Sequence, residues 1–140
     1  MARSSIILDT NIWIFGLFGG EDFTDCRKIL NSLNELNVMV PRQVLLELND
    51  NLKTLEMEQL FSLLNRYPEN IEYSWKSAEP EKIKEYMSLG CKLGDATIAA
   101  HMEMENIEIL VSENRTFLQK LSGTSFSLCN SARFCRDYSL

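Results

Sequence analysis

The chain is short of the residues that soft-metal sites and nucleic-acid coats are made from. It has a single histidine, His101, and its four cysteines, Cys26, Cys91, Cys129 and Cys135, form no Cys-x-x-Cys pair. Structural zinc needs three or four soft ligands at close spacing, so these residues argue against it. Basic residues are also few: 14 Lys and Arg face 20 Asp and Glu, for a formal charge of −6. A field of that sign does not draw a polyanion to the whole molecule, which argues against a DNA-coating protein but leaves room for a local basic rim. There is no run of apolar residues long enough for a membrane span. Met-Ala-Arg-Ser-Ser is followed by only three apolar residues, too few for a signal-peptide core. A reducing cytoplasm with no membrane association is the expected setting.

Hairpin signals are missing too. No Asn-Gly pair lies between alternating runs, and no repeat or low-complexity tract appears. What is present, over 140 residues with 45% hydrophobic content, is one domain's worth of short apolar runs separated by helical patterns. Ile6–Leu8, Val38–Val40, Ile71–Tyr73, Ile107–Val111 and Ser125–Cys129 read as strands, the third with the weakest alternation. Helices are expected after Asp22 or Thr24 as caps, from Arg42 behind Pro41, over Thr54–Arg66 with Leu55, Leu60, Leu63 and Leu64 inward, and starting within Ser77-Ala78-Glu79-Pro80-Glu81 with Ile83, Tyr86, Met87 and Leu89 inward. Further helices are expected from Gly94–Asp95 and over Thr116–Leu121. Gly16, Gly19 and Gly20 among Trp13, Phe15 and Phe18 read as a flexible, aromatic-rich stretch, and residues 131–140 as a C-terminal tail of undecided state. Buried strands alternating with helices predict an α/β fold with a central parallel sheet covered on both faces.

The polar residues beside these apolar elements carry the functional reading. Asp9 ends the first strand, Glu47 sits in the helix after the second, Asp95 opens a later helix, and Asn114 follows the fourth strand. Acids next to buried elements are costly unless a cation meets them, and hard oxygen donors suit Mg2+ or Mn2+. Singly, each has a plain structural reading: Asp9 as a turn cap, Asp95 as a first-turn helix acid, Glu47 as a solvated glutamate. In a parallel sheet the crevice lies beyond the carboxyl ends of the strands, where Asp9 and Asn114 both fall. Thr10, Asn11 and Ser112 flank that crevice and are able to orient ligands or water, although Asn11 also suits a helix cap. Arg115 reads either as a phosphate contact or as plain surface. Trp13, Phe15 and Phe18 read as core or subunit interface ahead of a base-stacking surface. His101 is expected on a helix surface, without a chemical role.

Taken in order, Ile6-Ile7-Leu8-Asp9-Thr10-Asn11, Val44-Leu45-Leu46-Glu47-Leu48, Gly94-Asp95-Ala96-Thr97-Ile98-Ala99-Ala100 and Ile109-Leu110-Val111-Ser112-Glu113-Asn114-Arg115-Thr116-Phe117 resemble the motifs of the PIN-domain family, the nuclease domain of VapC-type toxins and several RNA-processing enzymes. The resemblance spans nearly the whole chain. It implies a three-layer α/β/α sandwich and a Mg2+- or Mn2+-dependent ribonuclease with Asp9, Glu47 and Asp95 as principal ligands and Asn114 at a fourth position where the family often has aspartate. Asparagine there removes a charge and favours one-ion chemistry, unless Glu113 turns inward to replace it. The resemblance also implies an RNA substrate, a homodimer, and silencing by a small DNA-binding antitoxin. Two alternatives remain: a catalytically inactive PIN-like scaffold, and a phosphohydrolase with Asp9 as covalent nucleophile, which Asn11 disfavours because that chemistry wants a second aspartate there.

Overall fold

The structure, a computed structural model, describes residues 5–140. The reading of the first four residues lies outside that range. Five strands, β1 (Ser5–Leu8), β2 (Asn37–Pro41), β3 (Ile71–Ser74), β4 (Ile109–Val111) and β5 (Ser127–Cys129), form one sheet in the order β3-β2-β1-β4-β5. Every pairing is parallel. Such a sheet needs cover on both faces, and Ile6, Ile7, Leu8, Val38, Val40, Leu110 and Val111 are all buried.

Eight helices supply that cover: α1 (Thr10–Phe18), α2 (Thr24–Asn31), α3 (Arg42–Asn51), α4 (Thr54–Asn65), α5 (Pro80–Ser88), α6 (Leu93–Met104), α7 (Arg115–Lys120) and α8 (Ser131–Asp137). The usual right-handed crossover places the helices that follow β1 and β2 on one face of such a sheet and those that follow β3 and β4 on the other, and α1 packs on α2 while α5 packs on α6. α3 nevertheless packs on α6, so these two helices meet beyond the strand ends. The strand order reverses between β1 and β4, the place where an open α/β sheet splits into a crevice. Among the described residues no helix is long and apolar enough to cross a membrane.

Several sequence expectations shift for identifiable reasons. The stretch through Gly16 is not flexible: α1 runs to Phe18, with Trp13 buried and its indole N–H donating to the Leu8 carbonyl at 3.2 Å. Phe15 stacks on Phe23 with ring centres 4.1 Å apart. α2 takes neither expected cap, since Asp22 lies in a 3-10 turn and the Thr24 hydroxyl donates back to the Glu21 carbonyl at 3.3 Å. Leu55 faces solvent, 72% exposed, because it sits in the first turn of α4 outside the Leu60, Leu63 and Leu64 stripe. Met87 and Leu89 are exposed as well, leaving Tyr86 as the buried anchor of α5. β4 starts two residues late because Ile107 N–H closes α6 on the Met102 carbonyl at 2.8 Å. β5 starts at Ser127 rather than Ser125.

His101 is the largest departure. Its ring is 2% exposed within α6, between helices rather than on a surface. Residues 131–137 form a helix capped by Asn130, whose side-chain oxygen accepts from Arg133 N–H at 2.9 Å. Phe134 and Cys135 are buried there, and the Cys135 thiol reaches the Asp25 carbonyl of α2 at 3.4 Å.

Gly16 lets α1 and α2 close on each other. A Cβ at that position stands 2.5 Å from Leu30 Cδ1 and 3.0 Å from the Cys26 carbonyl oxygen, and Leu30 is itself buried. Gly16→Ala therefore lowers stability by about 1–3 kcal/mol through overpacking, outweighing the ~1 kcal/mol that alanine gains in helix propensity. Urea denaturation checks the sign. An unchanged or higher midpoint contradicts the close approach.

Candidate functional site

β1 delivers Asp9 directly into the crevice. Asp9 N–H still pairs with the Val111 carbonyl at 2.9 Å, continuing the β1–β4 ladder, and its side chain caps α1 by accepting from Thr10 N–H at 2.8 Å. The other carboxylate oxygen accepts from the Ser112 hydroxyl at 2.6 Å and from the Asn11 amide at 3.3 Å. Asp9 is 4% exposed and Ser112 fully buried, so these bonds hold the ends of two neighbouring strands together. Burial pushes the Asp9 carboxyl above its ordinary value, against the lowering effect of the bonds from Ser112, Thr10 and Asn11.

α3 and α6 bring the other two acids. The Thr10 hydroxyl lies 3.2 Å from Glu47 Oε2, tying α3 to the start of α1. Burial, then the charge of Asp9, then that of Asp95, push Glu47 up to about 7, despite bonds from Thr10 and Gln43 that lower it. Asp95, in the first turn of α6, is pushed up to about 6 by burial and by Asp9, with Lys92 opposing. Gly94 makes this approach possible, since a Cβ there stands 3.3 Å from Glu47 Oε1. Asp9, Glu47 and Asp95 thus share one corner, and among the described residues none of the three has an ion-pair partner.

The remaining polar residues form the rim. Asn11 donates to Ser112 at 3.3 Å, and its own oxygen accepts from Glu113 N–H at 3.1 Å. Asn114 N–H donates to the Ser112 hydroxyl at 3.0 Å, but its side-chain oxygen is spent capping α7, accepting from Phe117 N–H at 3.2 Å. Glu113 turns away toward α8, where its carboxylate accepts from Ser131 N–H at 2.7 Å. Arg115 is exposed at the start of α7. One neighbour escaped the sequence reading, Gln43, one helical turn before Glu47, while Gly94 reads there only as part of a helix start. The four-residue spacing from Gln43 to Glu47 was the available signal.

The acids fit a hard divalent cation by donor chemistry: three carboxylates, with Asp9 raising the proton affinity of Glu47 and Asp95 and no ion pair to any of them among the described residues. As they stand, no three His, Cys, Asp or Glu side chains among the described residues form a ready-made metal cluster. A cavity of about 800 Å³ lies elsewhere, between α7, β5 and α8, and is lined by none of these acids.

Comparison with known proteins agrees with the fold. The chain resembles VapBC2 from Rickettsia felis, solved bound to a DNA fragment from their promoter, with 22% identity and TM-score 0.59 over 90% of this chain and 98% of that one. It resembles PAE2754 from Pyrobaculum aerophilum with 11% identity and TM-score 0.60, over 100% of this chain and 98% of that one. It also resembles VapC20 from Mycobacterium tuberculosis, a sarcin-ricin loop cleaving toxin, with 17% identity and TM-score 0.60, over 87% of this chain and 96% of that one. No curated protein matches significantly. The profile of the PIN domain matches residues 6–121, most of the chain and all three acids, and the chain therefore belongs to the PIN domain family.

Proposed function

We propose that this protein is a Mg2+- or Mn2+-dependent endoribonuclease of the cytoplasm, the toxin of a toxin–antitoxin pair, working as a homodimer. The observation that supports the chemistry is the crowding of Asp9, Glu47 and Asp95 at the point where strand order reverses. The toxin reading rests on membership of the PIN domain family and on likeness to two VapC-type structures.

Asp9, Glu47 and Asp95 would hold the ion. When bound, it would polarise a phosphate oxygen, lower the pKa of a water and offset the charge that builds on phosphorus. The protein's own part is positional. Ser112, Asn11 and Thr10 N–H hold the Asp9 carboxylate in one orientation, so it meets a ligand without reorganising. Thr10 and Gln43 do the same for Glu47. Without an ion Glu47 is pushed up to about 7 by burial and by Asp9 and Asp95, and an ion held there would relieve that crowding. Asn114 acts from the rim through Ser112, and contact of its side chain with the ion requires the α7 cap to open. Attack in line by water leaves 5′-phosphate and 3′-hydroxyl ends.

Purified protein with RNA and Mn2+ should show cleavage that EDTA stops. Asp9→Asn, which keeps a competent helix cap, should lower the rate by on the order of 10²–10³-fold. Metal-independent cleavage, or full activity in that variant, would overturn the mechanism. Expression of the native chain should arrest bacterial growth while the Asp9→Asn form does not, and the product of the adjacent reading frame should relieve the arrest. Growth unaffected by an active enzyme removes the toxin assignment.

The raised carboxyls also predict a pH signature. A carboxyl whose pKa is higher folded than unfolded favours folding below about 4.5 and loses that contribution as pH climbs through about 7. Metal-free protein in EDTA should therefore lose stability from this group over that window. Glu47→Gln should restore on the order of 1–3 kcal/mol at pH 8 relative to the parent and show little difference at pH 4. Parallel pH–stability curves for the two proteins would contradict the crowding.

A further inference from the structure

A second polar recess adjoins the acids. It is a cavity of about 120 Å³ between the start of α3, α5, α6 and the loop after β3, where Arg42, Gln43, Lys76, Ser77, Thr97 and His101 stand beside the apolar Ala78 and Ile83. One water occupies roughly 30 Å³ of liquid, so the recess has room for a group of about four oxygen-sized atoms. His101 forms part of its wall, is 98% buried, and its Nε2 has no hydrogen-bond partner. A buried imidazole nitrogen left without a partner is costly, and it is satisfied when a ligand oxygen or a water comes to it. Burial pushes the His101 pKa below its ordinary value, so the ring is neutral at pH 7 and offers one N–H rather than a second cation.

Two of the other wall residues, Arg42 and Lys76, are cationic, and the one carboxylate near them, Glu105, pairs with Lys76 and acts on His101. Arg42 is exposed and has no ion-pair partner among the described residues. Lys76 is joined to Glu105 only loosely, at 3.6 Å with its side chain 73% exposed, and is free to swing toward the recess. Arg42 and Gln43 are the first residues of α3, a helix of ten residues whose N-terminus has no side-chain cap. An uncapped helix start leaves N–H groups and the positive end of a dipole at that end of the helix, where Arg42 stands. In a chain with formal charge −6, this is a local cationic corner. Gln43 belongs to both places, lining the recess and bonding Glu47, and Thr97 follows Asp95 by two residues.

We propose that this recess is an oxyanion subsite that holds one phosphodiester of the RNA strand next to the acidic corner, with Arg42, Lys76 and His101 as donors. The assignment to RNA rests on the ribonuclease reading above. The subsite would set the strand's register, leaving a neighbouring phosphodiester to meet Asp9, Glu47 and Asp95.

Because His101 is the single histidine, its imidazole resonances report on the recess without ambiguity. The test is a nuclear magnetic resonance titration of full-length protein in EDTA, first with inorganic phosphate, then with a short single-stranded RNA that is not cleaved without metal, and with chloride as ionic-strength control. Both phosphate and RNA should shift the His101 signals saturably, and Arg42→Ala and Lys76→Ala should each weaken the effect by about tenfold. Both residues are exposed, so the variants should fold, as the rest of the spectrum will show. Signals moved by phosphate but not by RNA mean an adventitious ion only and overturn the proposal. Signals unmoved by either, or moved equally in the two variants, mean that water satisfies His101, and overturn it as well. Since no metal is present, the outcome does not depend on whether the protein cuts RNA. That question is answered separately by the Asp9→Asn assay.

Discussion

Three carboxylates crowd a half-buried corner where no cation among the described residues forms an ion pair with them, and the surrounding structure is arranged to hold that burial and repulsion. Left to themselves, Asp9, Glu47 and Asp95 would swing apart or keep their protons, and the high pKa values of Glu47 and Asp95 show the second tendency. The first is blocked. Asp9 is fastened to α1 by its cap and to the end of β4 by Ser112, while Thr10 fastens Glu47. The corner is therefore an electrostatic load on the fold, of the kind proteins keep where function requires it.

The load is carried by ordinary packing. A parallel sheet buried on both faces brings β1 and β4 side by side, and their register, Leu8 opposite Val111, sets Asp9 and Ser112 level at the strand ends. Small residues then determine how near the helices come. Gly16 brings α2 against α1, and Gly94 brings α6 against the Glu47 carboxylate. A methyl group at either place pushes on a neighbour, but at Gly16 the neighbour is core and at Gly94 it is a functional oxygen. Similar substitutions therefore test different things.

Much of this was legible beforehand. The five apolar runs, the parallel sheet, and the acids at positions 9, 47 and 95 all follow from patterns with a local cause: continuous β-branched runs for buried strands, and acids beside elements that exclude water. The errors also have a common cause. Helix α1 was hidden because its glycines look like breaks when read alone, yet Gly16 is there to fit Leu30. His101 looked like a surface residue because a helical pattern does not reveal that another helix covers the polar side. The sequence offers Asn114 as a fourth ligand and leaves open whether Glu113 turns inward. The nearby starts of α8 and α7 offered N–H groups that claimed both side chains.

By itself, then, the order of residues determined the five strands, the helices between α2 and α7 and which acids stand at their ends, because hydrophobic period and capping act over a few neighbouring positions. Tertiary structure alone decided which of those acids meet, which way the polar side chains around Asn114 point, and that a neutral, unpartnered imidazole lies beside two cations. Those outcomes depend on contacts between residues dozens of positions apart, such as Ser112 to Asp9 and Thr10 to Glu47. Such contacts exist only once the sheet has brought its strand ends together.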